Sequence, residues 1–240
     1  MPVTTSKRHK AGKTSRANSS AHSGLPCLKI GRGNAKLDKD VYTTSLPAGH
    51  TCPGAHLCKA RVNFATNKLE DGPHQVFRCF AAGLEVAFKD FRNNNRYNLK
   101  LLSRCRTTAE MKSLILRSLN PRIVKLRVHV SGDFFSQTHF DAWMEAAQQT
   151  PRTQFYAYTK SFPFWLNWLK RHGSLPRNFT LTASEGSNHF QPLLQSKGEV
   201  PCSRQSMSGQ TSSSGQLPRT PLIKAVTSTT ALAVSQNCRR

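Results

Sequence analysis

The chain has 240 residues, room for one domain with a full hydrophobic core and for flanking segments. Its 35 Lys and Arg against 12 Asp and Glu leave a formal charge of +23, a balance that attracts polyanions and makes nucleic acid a candidate partner, the plainer alternative being weak polyanion binding without specificity. No run approaches the roughly 18 apolar residues of a membrane span, residues 1–24 lack the apolar centre of a secretory signal, and an odd number of cysteines, seven, argues against a disulfide scaffold. The composition therefore reads as a soluble, cytoplasmic protein with no membrane contact.

Residues 1–24 carry Lys7, Arg8, Lys10, Lys13 and Arg16, no acid and almost no large apolar side chain, and are expected to form a disordered basic arm. An α/β domain is expected over 25–189. Val41–Leu46 reads as a strand that stops at Pro47 and Gly49 and runs into a loop holding Cys52 and Cys58. Phe80, Leu84, Ala87, Phe88 and Phe91 recur at helical spacing, so Cys79 opens a helix, with further helices near Tyr97–Cys105 and Ala109–Leu119.

The pattern is clearest over 124–184. Strands are predicted at Val124–Val130, Gln154–Tyr158 and Phe179–Ala183, and helices at Gln137–Gln149 and Phe164–Arg171. The first helix places Phe140, Trp143, Met144 and Ala147 on one face. Strands alternating with helices mean parallel βαβ units. Residues 190–240 are low in complexity, rich in Ser, Thr and Gln over 203–214, and imply no fold; they read as a disordered tail.

In parallel folds ligands collect outside the carboxyl ends of the strands, because only there do successive loops converge. Each predicted strand is followed by a small polar tripeptide: Ser131-Gly132-Asp133, Thr159-Lys160-Ser161 and Ser184-Glu185-Gly186. Asp133 and Lys160 are the catalytic candidates, and Ser131, Gly132, Thr159, Ser161 and Ser184 the candidates for binding substrate or cofactor. The plainer assignment of Asp133 and Thr159 is as caps of the helices that follow. His129 is expected within a strand, as a hydrogen-bonded core histidine.

The thiols of Cys52, Cys58 and Cys79 form the candidate metal site, with His56 as a further ligand, because thiolates are soft donors for zinc and iron–sulfur clusters and the Pro53-Gly54 turn lets two of them face one point. Cys52-x5-Cys58 is looser than the pairs of a zinc ribbon, for which His50, His56 or His74 would supply a fourth ligand. Unpaired, partly buried thiols with no metal are the alternative, and the function that goes with structural thiols is that of a non-catalytic nucleic-acid-binding or host-interaction protein.

Gly33-Asn-Ala-Lys-Leu37, Leu46-Pro-Ala-Gly-His-Thr-Cys-Pro-Gly-Ala55, Phe77-Arg-Cys-Phe-Ala-Ala82, Val128-His-Val-Ser-Gly-Asp-Phe-Phe-Ser136, Phe155-Tyr-Ala-Tyr-Thr-Lys-Ser161 and Leu181-Thr-Ala-Ser184 occur in that order. Together they resemble the gene product 88 family of phages and prophages over about residues 31–189. That family has no established activity, so the resemblance implies a bacterial host cell as the setting and no particular reaction. More distantly, a strand, a cysteine loop and βα units resemble the partial barrels of radical S-adenosylmethionine enzymes. This implies a truncated, barrel-like sheet and a [4Fe–4S] cluster on Cys52, Cys58 and Cys79 that binds S-adenosylmethionine. The chain departs from the usual Cys-x3-Cys-x2-Cys: His56 stands at the second position and Cys79 is remote.

A parallel sheet needs its faces and edges covered, yet the βα pattern stops just after the third strand. The expectation is a departure from the ancestral reading frame near His189–Gln191. Translation of the gene in the other two frames downstream should restore βα patterning in one of them; its absence from both would refute the frame change.

Overall fold

Alternate apolar residues decide which way the sheet faces. Leu126 and Val128, Phe155 and Ala157, and Phe179, Leu181 and Ala183 stand in register on three neighbouring strands, so they share one face and enter one core. The structure, a computed structural model, describes residues 24–33, 37–184, 186–187, 200–203 and 222–223.

In chain order the elements are strands β1 (Gly31–Arg32) and β2 (Val41–Thr43), a hairpin of β3 (Arg61–Val62) and β4 (Leu69–Glu70), and helices α1 (Phe80–Ala87), α2 (Lys89–Leu102) and α3 (Thr108–Ser118). Then follow β5 (Lys125–Val128), α4 (Gln137–Gln149), β6 (Gln154–Thr159), α5 (Phe162–His172), β7 (Phe179–Ser184), β8 (Val200–Ser203) and β9 (Leu222–Ile223). The main sheet has the order β1-β2-β5-β6-β7-β8-β9. Strands β2, β5, β6, β7 and β8 are parallel, and β1 and β9 pair antiparallel at the two edges. The parallel strands succeed one another in chain order without reversal, the ordering of a barrel segment and not of a doubly wound sheet.

The βα alternation expected over 124–184 forms, with α4 at its expected bounds. Helix α2 is longer than its periodicity suggested, beginning at Lys89, because Asn95 and Asn98 occupy buried positions where an apolar residue would mark a helix face. Asn98 holds the peptide of Lys29 by its N–H and its carbonyl and also donates to the Ser45 carbonyl. The β3–β4 hairpin was not legible, since strands of two residues carry no period. Strand β8 lies past residue 189, where the domain was expected to end. The frame change expected near His189–Gln191 falls outside the described residues, as do residues 1–23 of the basic arm and most of the 190–240 tail.

Helix α4 packs between α3 and α5. Its Phe140, Trp143, Met144 and Ala147 are fully buried, joined by Met111, Leu114 and Ile115 of α3 and Phe162, Trp165 and Trp168 of α5. Thr107 and Glu110 form a reciprocal capping box at the start of α3, and the Ser136 hydroxyl accepts the His139 N–H at the start of α4. The helix starts of α4 and α5 are thus at Ser136 and Ser161, so Asp133 and Thr159 cap neither helix.

His129 corrects its expectation. It lies just past β5 with φ +64°, and although it is in the core, neither ring nitrogen has a hydrogen-bond partner among the described residues. Its ring stands against Phe134, His139 and Trp143. Trp143 Nε1–H donates to Nε2 of His139 at 3.0 Å, so the neutral ring of His139 carries its proton on Nδ1. Burial pushes His129 down to about 3 and His139 well below its ordinary value. Both therefore stay neutral in the fold and gain protons on unfolding. Their contribution is complete above about pH 6.5 and is lost as pH falls toward the depressed value, by about 1.4 kcal/mol per pH unit for each ring. Denaturant unfolding between pH 6.5 and 5 should show a slope shallower by that amount in His139→Phe than in the unaltered protein; equal slopes would contradict the assignment.

Candidate functional site

The cysteine loop is an extension of the sheet before it is a loop. Thr44 donates to the Arg127 carbonyl, Val130 to Thr44 and Leu46 to Ser131, which carries the β2–β5 pairing beyond both strands. The chain then turns at Pro47–Thr51, where the Thr51 N–H and hydroxyl both donate to the Pro47 carbonyl. Two glycines let it fold back over the strand ends. Gly132, at φ +78°, lies so close to Leu46 and the Thr51 hydroxyl that a side chain there would collide with both. At Gly54 a Cβ would overlap the Lys160 carbonyl. The Cys52-Pro53-Gly54 turn therefore rests directly on the peptide after β6.

Asp133 joins the strand ends. Its Oδ1 accepts the Thr159 hydroxyl at 2.6 Å and the Phe134 N–H at 2.7 Å, and its Oδ2 accepts the Lys160 N–H at 2.7 Å. The side chain is buried, and burial raises its pKa against the opposing pull of those three donors and of the Lys160 ammonium. Ser161 donates its hydroxyl to the Phe134 carbonyl and its N–H to the Thr159 hydroxyl. Beyond β7, Ser187 donates to the Lys160 carbonyl and bridges Ala55 of the cysteine loop, and Gly186 lies beside the Lys160 stem and Leu57. Ser184 is buried at the end of β7, opposite Ser203 of β8. The turns after β5 and β6 are thus tied to each other, and Gly186 and Ser187 lie beside Lys160.

Cys52, Cys58 and Cys79 are all free thiols and half-buried as residues. The Cys52 sulfur is enclosed, and burial, the Asp133 carboxylate and the two other thiols push it well up from its ordinary value. Burial also raises Cys58, while Lys160 pulls it the other way and Cys79 and Asp133 add to the rise. Cys52 and Cys58 are thus protonated at neutral pH, with Asp133 acting on both and Lys160 on Cys58. The donor set is the right kind for a soft metal. Among the described residues, however, no three His, Cys, Asp or Glu side chains already stand as a ligand set. His56 faces the ring of His74 at 4.6 Å.

Glu85 escaped the sequence reading. It is fully buried, and its Oε1 accepts the Ala48 N–H at 2.7 Å, the Ser131 hydroxyl at 2.8 Å and the Asn95 amide at 3.2 Å, while Oε2 has no partner among the described residues. Burial raises its pKa above what those donors allow. One carboxylate thereby ties the cysteine loop, the Ser131-Gly132-Asp133 turn and α2 to α1. The available signal was a single acid in an otherwise apolar helix, Phe-Ala-Ala-Gly-Leu-Glu-Val-Ala.

A family model described as gene product 88 matches residues 6–207. No curated protein and no solved structure matches the chain.

Removing the Glu85 carboxylate leaves three donors without their acceptor, so Glu85→Ala should cost about 3 kcal/mol in denaturant unfolding and Glu85→Gln less. Gly54→Ala should also lift the loop and speed the reaction of Cys52 with a thiol reagent. Unchanged unfolding and unchanged thiol kinetics in both would show that the loop is not held this way.

Proposed function

Since the chain belongs to the gene product 88 family of phage proteins, a family without an assigned activity, we propose that it is an enzyme-like protein acting on a nucleotide or nucleic acid through a metal centre at the carboxyl ends of β5, β6 and β7. One observation carries this reading. The cysteine loop is folded onto the strand ends so that Cys52 and Cys58 lie in reach of the Asp133 carboxylate and of Cys79 from a second segment, with the Lys160 ammonium acting on Cys58.

Crowded thiols that raise one another resist ionisation, and a cation reverses that resistance, because a metal-bound thiol is deprotonated outright. Cys52, Cys58 and Cys79 would hold the metal. Three thiolates leave an open position: on a [4Fe–4S] cluster it would take S-adenosylmethionine, and on zinc it would take His56 or water. The supporting frame is the protein's own. Asp133 holds the peptides after β5 and β6 at one spacing, and Lys160 supplies the cation beside Cys58. Ser131, Gly132, Thr159, Ser161 and Ser184 shape the floor, with the hydroxyls of Ser131, Thr159 and Ser161 each committed to a neighbour. Asp133→Asn, which keeps the oxygen that accepts from Thr159, is therefore a sounder probe of chemistry than Asp133→Ala.

The +23 charge supports a second reading, a basic nucleic-acid-binding protein with structural thiols. Metal and acid-labile sulfide analysis of protein purified without oxygen separates the two. Iron and sulfide that disappear from a Cys52→Ala, Cys58→Ala, Cys79→Ala variant are the expected result. Zinc that disappears, with unfolding on chelation, would make the centre structural, and an unaltered protein free of all metal would overturn the proposal.

A further inference from the structure

Strands of a parallel sheet that is covered on both faces by helices read as unbroken apolar runs. Here only one face does. The residues that alternate with the core positions are Arg127 on β5, Tyr156 and Tyr158 on β6, and Thr180 and Thr182 on β7. Arg127 is in register with Tyr156 and Tyr156 with Thr180, and Tyr158 is in register with Thr182 one row nearer the carboxyl ends. The face turned away from α4 and α5 is thus cationic, aromatic and hydroxyl-bearing across three strands.

Arg127 is its centre. The guanidinium lies 5.2 Å from the centroid of the Tyr158 ring and not over its register partner Tyr156, so it leans about 7 Å along the strand toward the carboxyl ends. Its Nε is buried without a hydrogen-bond partner, and the residue makes no ion pair among the described residues. An enclosed guanidinium N–H with no acceptor is a cost that the fold does not recover internally. Stacking on the tyrosine orients the planar fork of donors, and that fork matches the oxygens of a phosphate.

We infer that Arg127, stacked on Tyr158, is a binding site for the phosphate of a nucleotide on the inner face of the sheet. Tyr156, Thr180 and Thr182 line the same face. The phosphate seated there directs the rest of the ligand toward the end of the sheet that carries Lys160 and Asp133. The link to those two residues rests on the reading proposed above; the phosphate site itself needs no metal.

The test is calorimetric titration of the full chain, with a chelator present, using inorganic phosphate, adenosine monophosphate and a short oligothymidylate as probes. Arg127→Met is compared with Arg152→Met, an exposed arginine between α4 and β6 that shares the net charge change. The nucleotide should bind to the unaltered protein and to Arg152→Met, and weaken about tenfold or more in Arg127→Met. Thermal melting of Arg127→Met should be no lower than that of the unaltered protein, because the lost N–H had no acceptor. Dependence of the oligothymidylate alone on Arg127 would identify a strand as the source of the phosphate at the same site. Absence of binding by every probe, or equal weakening in both variants, would overturn the inference. The chelator makes these results independent of the metal analysis, so either proposal can fail without the other.

Discussion

One carboxylate governs the geometry of the strand ends. Asp133 accepts from the Thr159 hydroxyl, the Phe134 N–H and the Lys160 N–H, so the turn after β5 and the peptide after β6 are held as one unit. The Ser161 hydroxyl, donating to the Phe134 carbonyl, makes a second tie between the same two turns. The Lys160 carbonyl is presented to the cysteine loop, and Gly54 can lie on it because no side chain intervenes. Burying the carboxylate raises its pKa, and three donors oppose that cost. The same burial places negative potential beside Cys52.

A second carboxylate works from the other side of the loop. Glu85 joins Ala48, Ser131 and Asn95, so α1, whose N-cap is Cys79, is tied to the turn that carries Asp133. The third thiol is therefore held in place through Glu85, although it is distant in sequence from the other two. Two buried acids in a chain of strongly basic character serve as internal acceptors at the points where segments meet. Their energetic logic is that of buried polar networks, in which satisfied donors fix one arrangement and an orphaned group is costly.

The sheet is two-sided in a way that its parallel topology does not require. One face packs α4 against an apolar surface, and the other carries Arg127 stacked on Tyr158. Barrel-like ordering without a topological switch puts the crossover helices on one side and leaves the polar face inward. The thiols at the rim and the arginine on the inner face are thus two consequences of one strand order.

Periodicity made much of this fold legible. The alternation in Phe155–Thr159 and Phe179–Ser184 and the apolar stripe of Gln137–Gln149 define βα units by short-range geometry alone, and parallel pairing then places Asp133, Thr159, Lys160 and Ser184 at one end. Other features had no local signal. Asn95 and Asn98 hide the start of α2 because their partners lie in other segments, and Glu85 reads as a surface acid until tertiary contacts enclose it. His129 looks like a strand residue, yet it leaves the strand at positive φ with its ring among Phe134, His139 and Trp143. Sequence by itself determined the βα units over 124–184 and the end of the sheet at which polar residues gather, since both follow from period and strand direction. Only the tertiary structure decided that Asp133 clamps two strand ends instead of capping a helix, and that Glu85 anchors the loop, because hydrogen bonds between segments far apart in the chain leave no trace in the spacing of either one.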